Sequence, residues 1–423
     1  MGEVPTIRIN GKDYELGPDI GEDERLVNFL FDKNLKGTHT TCFEGGCGAC
    51  IVVASVPDPV TGSMETYSVN SCLVPVLSCA GWEVTTIEGL GNSLDGFHVV
   101  QDRLAEYSGT QCGYCSPGMV MNMYGLTQNN PAWTASDVEK SLDANICRCT
   151  GYRPILEAFK SITTKDIEDS HLSKCAKAGK GSGCPCAQKS NSDKTKPKGC
   201  CKQTKSPRGM LPASAKAYQP TSLTELYSII AALPPEDGYS LIVGNTAQAV
   251  VGGDYTSKAT IYIRNIPELS QVTQTTENVG FGACISISRM MKEMKQMSSS
   301  SGYAYLDHLA DTWQHVAGTS VRNLGSWAGN LAVRSTHLDF PSDLFTHLVT
   351  AGATITVGTT DGSTTTHSVE ELIGMDLVTN RKVILHITFP KMADNVIFRV
   401  FKVCARATNS HAVGVHEPPA RRI

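Results

Sequence analysis

Two groups of cysteines in this chain have spacings that suit metal binding. The first group consists of Cys42, Cys47, Cys50 and Cys72. This is a C-x4-C-x2-C pattern with a distant fourth thiol, the arrangement that holds a plant-type [2Fe–2S] cluster. Such a cluster is anionic, and the interleaved Gly45, Gly46 and Gly48 let the backbone turn tightly and direct N–H groups at the sulfurs. Zinc is the alternative, but tetrahedral zinc usually draws its ligands from C-x2-C pairs, so the sequence predicts an iron–sulfur loop.

The second group consists of Cys112, Cys115, Cys147 and Cys149. It joins a C-x2-C, within Gln111-Cys112-Gly113-Tyr114-Cys115, to a distant C-x-C that is followed by Thr150-Gly151-Tyr152-Arg153-Pro154. Zinc could use this arrangement if it stood alone. Beside the first group, the simpler interpretation is a second [2Fe–2S] cluster.

Other cysteines are not expected to bind a cluster. Cys79 matches no ligand spacing and is interpreted as a small buried residue. Residues 165–212 are rich in Lys, Gly, Ser and Pro, which predicts a flexible linker. Its cysteines are Cys175, Cys184, Cys186, Cys200 and Cys201. A metal role is an alternative for them, but the setting favours exposed free thiols.

The composition indicates a globular protein with several domains. The chain has 423 residues, of which 41% are hydrophobic and 18% charged, enough for about two to four domains. A formal net charge of −4 gives no reason to expect nucleic acid or an anionic membrane as a partner. The N-terminus lacks a basic and an apolar targeting region, and no run of about 18 apolar residues occurs. We therefore expect a cytoplasmic protein in which clustered cysteines bind metal.

The residues around the first cysteine group indicate a small ferredoxin-like sheet. Ile7 and Ile9 alternate with polar residues before an Asn-Gly turn, which predicts a β-hairpin over 6–16. The other elements expected in this unit are a helix over 25–34 and strands over 51–54 and 82–87.

Helical signals surround the second group. Ser116-Pro117 places an N-cap before a proline at the first helical position. Thr134 to Asp137 resembles a capping box, and Pro154 opens a further helix. The pattern predicts a four-helix unit in which the methionines are packing residues.

From residue 213 the pattern becomes α/β. The expected elements are helices over 222–233, 288–297 and 305–316, and strands over 241–243, 259–263 and 280–287. Two turns of small residues, Gly244 to Ala247 and Ser320 to Ala332 around Ser326, could bind a pyrophosphate through main-chain N–H groups. Neither is a G-x-G-x-x-G or a Walker loop, so on the pattern alone a nucleotide-binding domain is only one option.

The order of these motifs resembles the N-terminal half of the xanthine dehydrogenase and aldehyde oxidase family. The likeness is carried by the two cysteine motifs, the Val243-Gly244-Asn245-Thr246 turn and the Ser326-Trp327-Ala328-Gly329-Asn330 segment. It implies an α+β multidomain fold. The implied parts are a β-grasp [2Fe–2S] domain over 1–91, a four-helix [2Fe–2S] domain over 92–164, the linker, an α/β FAD domain of the vanillyl-alcohol-oxidase type over 213–390, and the start of a CO-dehydrogenase-flavoprotein-like subdomain over 391–423.

The resemblance also implies positions that contact FAD. They are Leu241, Ile242, Val243, Gly244, Asn245, Thr246, Ala247, Gln248, Val316, Ser326, Asp343, Ile384 and Lys402. Two alternatives stay open, because Ile384 suits a hydrophobic core and Lys402 suits a solvated strand. No His or Cys lies in the two small-residue segments, so the FAD is expected to be noncovalent. Gln111 matches the position that touches the molybdenum pterin cofactor in the family, and Cys149 the thiolate nearest to it.

The chain departs from the family in four respects. No counterpart of the family's molybdenum-cofactor and substrate domains is found. Residues 407–412 read Ala-Thr-Asn-Ser-His-Ala where dehydrogenases carry an acidic pair associated with NAD, and Val316 replaces an aromatic residue. Both differences resemble the aldehyde oxidase branch. Residues 414–423 look like a foreign tail that replaces a strand.

In complete enzymes of this family, electrons from a substrate oxidised at molybdenum pass singly through the two clusters to FAD and then to O2 or NAD. The resemblance therefore implies an oxidoreductase module for electron transfer, without a substrate site of its own. Two alternatives stay open. One is a non-catalytic isoform that dimerises with full-length subunits, and the other is a separate subunit completed by a molybdenum subunit. A homodimer is also expected, and the sequence specifies neither the substrate nor the choice between O2 and NAD.

Overall fold

The computed structural model describes residues 4–129, 132–162, 217–234, 238–251, 259–393, 395–406, 410–412 and 414–416. The expected linker with its five cysteines lies outside these ranges. The described residues form a mixed sheet, a helical unit and an α/β unit, which confirms the predicted fold class.

The first unit is a five-stranded sheet in the order β2-β1-β5-β3-β4. Its strands are β1 (Thr6–Ile9), β2 (Lys12–Glu15), β3 (Ile51–Pro57), β4 (Met64–Asn70) and β5 (Glu83–Thr85). β1 is parallel to β5, and the other pairs are antiparallel. The predicted hairpin is confirmed, because Asn10 and Gly11 have φ angles of 49° and 81°, the left-handed pair that a tight two-residue hairpin turn needs. Helix α1 (Leu26–Asp32) buries Phe29 and Leu30 against this sheet.

The second unit is helical. Its helices are α2 (Val99–Glu106), α3 (Ser116–Asn129), α4 (Ala135–Ser141) and α5 (Arg153–Lys160). The predicted capping box is confirmed, since the Thr134 hydroxyl accepts the Asp137 N–H at 3.3 Å and the Asp137 carboxylate accepts the Thr134 N–H at 2.8 Å. Met119 and Met123 lie in the core with Phe159, so the methionines pack as predicted. No helix among the described residues is long and apolar enough to cross a membrane.

The α/β unit contains two sheets. A parallel sheet has the order β6-β8-β7, and a five-stranded antiparallel sheet has the order β12-β11-β13-β10-β9. The strands are β6 (Ala217–Tyr218), β7 (Tyr239–Ile242), β8 (Ala259–Tyr262), β9 (Val272–Gln274), β10 (Asn278–Gly282), β11 (Thr354–Thr359), β12 (Thr364–Ser368) and β13 (Lys382–Pro390). The helices are α6 (Leu223–Ala232), α7 (Gln248–Val251), α8 (Ile287–Met297), α9 (Tyr305–Trp313), α10 (Thr319–Arg322), α11 (Trp327–Thr336) and α12 (Asp343–Thr350). They enclose one continuous hydrophobic core.

Three expectations for this unit are corrected. The strand predicted over 280–287 ends at Gly282, because the Ser286 hydroxyl accepts the Arg289 N–H and starts α8 at Ile287. The helix predicted over 305–316 ends at Trp313. The small-residue segment around Ser326 is helical, since α10 and α11 occupy it.

Part of the segment expected to be a tail, residues 414–416, forms a short strand. Strand β14 (Phe401–Val403) pairs antiparallel with β15 (Gly414–His416). The rest of the expected tail, residues 417–423, lies outside the described residues, and its interpretation as a foreign tail stays a prediction.

Candidate functional site

The first cysteine group lies in the loop before β3 and just after β4. Its thiols shift one another's pKa in two pairs, Cys42 with Cys47 and Cys50 with Cys72. Within the part of the chain that the structure describes, no three His, Cys, Asp or Glu side chains surround a single metal position. Two thiol pairs suit two irons that each take two thiolates, whereas structural zinc needs four ligands around one ion.

Backbone donors point at the sulfur of Cys42. A hydrogen bond with Cys47 is the main cause that lowers the pKa of Cys42 to about 5, and N–H groups of Glu44, Cys47 and Gly46 act in the same direction. The pKa of Cys47, the other member of the pair, is raised by the same hydrogen bond. Donors directed at a sulfur stabilise the thiolate, which is the form that binds metal.

Two glycines make this loop compact. Gly45 and Gly48 have φ angles of 72° and 68°, a region that side chains disfavour. A Cβ on Gly45 would lie 2.6 Å from Leu73 Cδ1, and one on Gly48 would lie 2.6 Å from Asn145 Nδ2. The loop therefore fits an anionic cluster surrounded by main chain.

The second group lies in the loops before α3 and α5. Its side chains also pair, Cys112 with Cys149 and Cys115 with Cys147. The Tyr114 N–H is the main cause that lowers the pKa of Cys112. Cys112 and Cys149 are exposed, whereas Cys147 is buried. Cys115 and Cys147 are therefore covered ligand candidates, whereas Cys112 and Cys149 form the open edge of this group, which is exposed to solvent.

The two cysteine loops are held together by polar contacts. The Asn145 amide donates to the Gly48 carbonyl oxygen at 3.2 Å. On another side, the rings of His39 and Tyr114 stack with their centroids 4.6 Å apart. Because these contacts lie beside both groups, the structure brings all eight predicted cluster residues into one region.

The first expected FAD segment lies against the second. A Cβ on Gly244 would lie 2.1 Å from the Leu324 carbonyl oxygen, so only glycine fits there. Asn245 has a φ of 57°, and its amide donates to the Leu73 carbonyl oxygen at 2.8 Å. Leu73 directly follows Cys72, so this segment also touches the first cysteine loop.

Ser326 begins helix α11. Its hydroxyl accepts the N–H of Gly329 at 3.0 Å. A Cβ on Gly329 would have only this hydroxyl within 4 Å, at 3.2 Å. The remaining space beside the first turn of the helix fits an anionic group, which a helix N-terminus stabilises.

Asp343 and Lys402 form a buried ion pair. Lys402 Nζ lies 2.7 Å from Asp343 Oδ2, and the side chains are 5% and 6% exposed. Lys402 also donates to the His315 carbonyl oxygen at 2.7 Å. The interpretation of Lys402 as a solvated residue is therefore wrong. Asp343 Oδ1 is buried and has no hydrogen-bond partner among the described residues, as expected of an acceptor that faces a ligand.

The other two expected FAD positions are less distinctive. Val316 is buried, and its carbonyl oxygen accepts a hydrogen bond from Arg322 at 2.9 Å. Ile384 lies opposite Val357 in the antiparallel sheet and belongs to the core. Core packing therefore accounts for Ile384, and its contact with FAD stays a prediction.

One residue of the site was missed by sequence reasoning. Asn70 is fully buried, and its amide donates to the Gly45 carbonyl oxygen at 3.2 Å and to Ser320 Oγ at 2.9 Å. It thereby links the first cysteine loop to helix α10. The only local signal was an amide side chain close to Cys72 at the end of a strand.

Comparison with known families matches two segments of the chain. Residues 86–160 match the [2Fe–2S] binding domain family, and residues 213–392 match the family described as the FAD binding domain in molybdopterin dehydrogenase.

Several curated relatives are plant aldehyde oxidases. An indole-3-acetaldehyde oxidase of Arabidopsis thaliana is 33% identical over 90% of this chain and 29% of its own length. An abscisic-aldehyde oxidase of the same plant is 34% identical over 82% of this chain and 27% of its own length. The chain thus spans less than a third of these relatives. Among solved structures, the aldehyde oxidoreductase from Desulfovibrio gigas is 31% identical over 37% of this chain and 16% of that chain, with a TM-score of 0.33.

Proposed function

This chain belongs to the xanthine dehydrogenase and aldehyde oxidase family, as its N-terminal part, and we propose that it is the electron-transfer module of an aldehyde-oxidase-like enzyme. Its cofactors are [2Fe–2S] clusters and FAD. The observation that carries the proposal is the hydrogen bond from Asn245 to the Leu73 carbonyl oxygen. It joins the expected FAD turn to the residue that follows Cys72.

Bound [2Fe–2S] clusters supply one-electron redox chemistry, and bound FAD can accept electrons singly or in pairs. The eight paired cysteines would ligate the clusters, and the backbone donors around Cys42 would hold the thiolate form. The segment 241–248 would bind the FAD pyrophosphate with Ser326 nearby. Asp343 Oδ1 would accept a hydrogen bond from the same ligand.

The exposed edge of the second cysteine group supports the proposal that electrons enter the module there. Gln111, Cys112 and Cys149 are exposed, as are the side chains of Ile146 at 45% and Tyr152 at 39%. We propose that this edge faces the molybdenum cofactor in a complete enzyme, provided by the same chain or by another subunit.

The acceptor that we propose is O2 rather than NAD. The support is the sequence over 407–412, where the acidic pair of dehydrogenases is absent; residues 407–409 lie outside the described residues. We place the protein in the cytoplasm, whose reducing conditions keep thiols available for metal.

A regulatory isoform that dimerises with full-length subunits is the second candidate. Native mass spectrometry of the chain, alone and mixed with a full-length relative, separates the candidates. Mixed dimers support the regulatory role, and a homodimer that does not exchange subunits contradicts it.

The test of the main proposal is an anaerobic titration of the purified chain. Dithionite should bleach both the iron–sulfur and flavin absorption, and O2 should restore them. NADH should bleach them poorly, and an aldehyde alone should leave them unchanged because no substrate site is expected here. Stoichiometric zinc in place of iron, or bleaching by aldehyde alone, would contradict the proposal.

A further inference from the structure

A buried ion pair joins the helical unit to the α/β unit. Arg322 Nη2 lies 2.9 Å from Asp143 Oδ2, and the two side chains are 6% and 5% exposed. The Thr319 backbone N–H donates to Asp143 Oδ1 at 2.8 Å, and its hydroxyl lies 3.2 Å from Oδ2. A buried carboxylate with charged, amide and hydroxyl partners is held in one geometry.

Arg322 also orders a segment of the α/β unit. Its Nη1 donates to the carbonyl oxygens of Gln314, Val316 and Ala317 at 3.0, 2.9 and 3.0 Å. Ala317 has a φ of 50°, a conformation that a residue with a side chain adopts only when its surroundings hold it. The guanidinium therefore shapes the turn that contains Val316, one of the expected FAD contacts.

Asp143 begins a short segment that ends at Cys147. Its second residue, Ala144, lies so close to Gly318 that a Cβ on Gly318 would be 2.1 Å from the Ala144 Cβ. Its fourth residue, Ile146, donates its N–H to the Cys47 carbonyl oxygen at 2.9 Å. The segment thus contacts the α/β unit at one end and the first cysteine loop at the other.

We propose that Asp143 and Arg322 are positioning residues that couple FAD binding near Val316 to the order of the segment 143–147, which carries Cys147. The pair touches no reacting group and acts through the geometry of the two segments. This inference rests on the proposed function, because it requires FAD to bind at the α/β unit.

The test is hydrogen exchange on the intact chain, with its clusters, before and after FAD is added to flavin-depleted protein. In the wild type, FAD should slow exchange over both 314–318 and 143–147, by about tenfold, an ordinary size for coupled sites. In Asp143→Asn, which keeps the shape but loses the charge, FAD should still protect 314–318 but no longer 143–147. Asp13→Asn is the matched control, since it breaks the exposed pair with Arg8 and should behave as the wild type.

A second measurement does not require FAD. In flavin-depleted Asp143→Asn, the amides of Thr319 and Ile146 should exchange faster than in the wild type. Arg322→Met should show the same change, and Arg322→Lys replaces it in the test if the methionine variant does not fold. Unchanged exchange at both amides would show that the Asp143–Arg322 ion pair does not position these two segments. Full FAD-dependent protection of 143–147 in Asp143→Asn would overturn the coupling while leaving the proposed function intact. Wild-type protein that takes up no FAD would overturn both.

Discussion

The backbone N–H of Ile146 donates to the carbonyl oxygen of Cys47 at 2.9 Å. Ile146 precedes Cys147, so one hydrogen bond and one peptide unit connect a candidate ligand of the first cluster to a candidate ligand of the second. The cysteines that shift the pKa of each of these thiols nevertheless belong to its own group. The two cysteine groups should therefore be separable by mutation although their loops are joined.

Replacing Cys115 by serine should remove the second cluster and spare the first, because a hydroxyl is a poor substitute for the thiolate that binds iron. Elemental analysis should show about half of the iron lost, and EPR of the reduced protein should keep one of two [2Fe–2S] signals. Cys79→Ser is the control, since Cys79 is buried and its thiol lies 3.6 Å from the Pro75 carbonyl oxygen, outside either group. Loss of both signals in Cys115→Ser would contradict independent clusters.

Replacing Ser326 by alanine should lower the flavin content of the purified protein and leave the iron content unchanged. The change removes the cap of α11, a loss of about 1 kcal/mol, and a side chain expected to face FAD. Ser222→Ala removes the same type of cap from α6 and should keep full flavin content. Equal flavin in the two variants would argue against the assignment. Gly244 is unsuitable for this test, since a side chain there would collide with the Leu324 carbonyl oxygen whether or not FAD binds.

Replacing Lys402 by methionine should destabilise the fold strongly, because it leaves the Asp343 carboxylate buried without its charge partner. The expected loss in the free energy of unfolding is about 3 kcal/mol, measured by urea denaturation. Arg8→Met breaks an ion pair whose side chains are 46% and 55% exposed, and it should cost about 1 kcal/mol or less. Similar losses in both variants would show that the Asp343 site is hydrated in solution.

His347 should make the fold sensitive to mild acid. Burial, with smaller effects of Lys402 and His308, lowers the pKa of His347 from 6.5 to about 4. Between these values the unfolded chain binds a proton that the folded chain does not, so stability should fall as the pH is lowered from about 7 to 4, by about 3 kcal/mol in total.

His347→Gln should reduce this dependence. Glutamine can still accept the hydrogen bond that Trp313 Nε1 gives to His347 Nδ1 at 3.2 Å, but it does not titrate. Urea denaturation at several pH values compares the slopes. An equally steep loss of stability in both proteins would assign the acid sensitivity to another group.

Local signals in the sequence were sufficient for much of the fold. The Asn10-Gly11 turn and the Thr134 capping box depend on residues that are neighbours in the chain, and both form as predicted.

Contacts between distant residues could not be predicted in the same way. Asp143 and Arg322 are 179 positions apart, and only the docking of two units makes them partners. A contact between distant residues also explains why the strand predicted over 280–287 ends early, at Gly282. Its β-branched residues suit a strand, but the cap at Ser286 and the bond from Ile287 N–H to the Gly325 carbonyl oxygen favour a helix start.

The close approach of Gly318 to Ala144 limits how this protein can be recombined with its relatives. If the helical unit carried a larger residue at 144, or the α/β unit any side chain at 318, the two units could not pack as closely at this contact. Chimeras should therefore assemble only when both positions are transferred together or both remain small. A single domain can therefore be exchanged only when the incoming sequence keeps a small residue at its contact position.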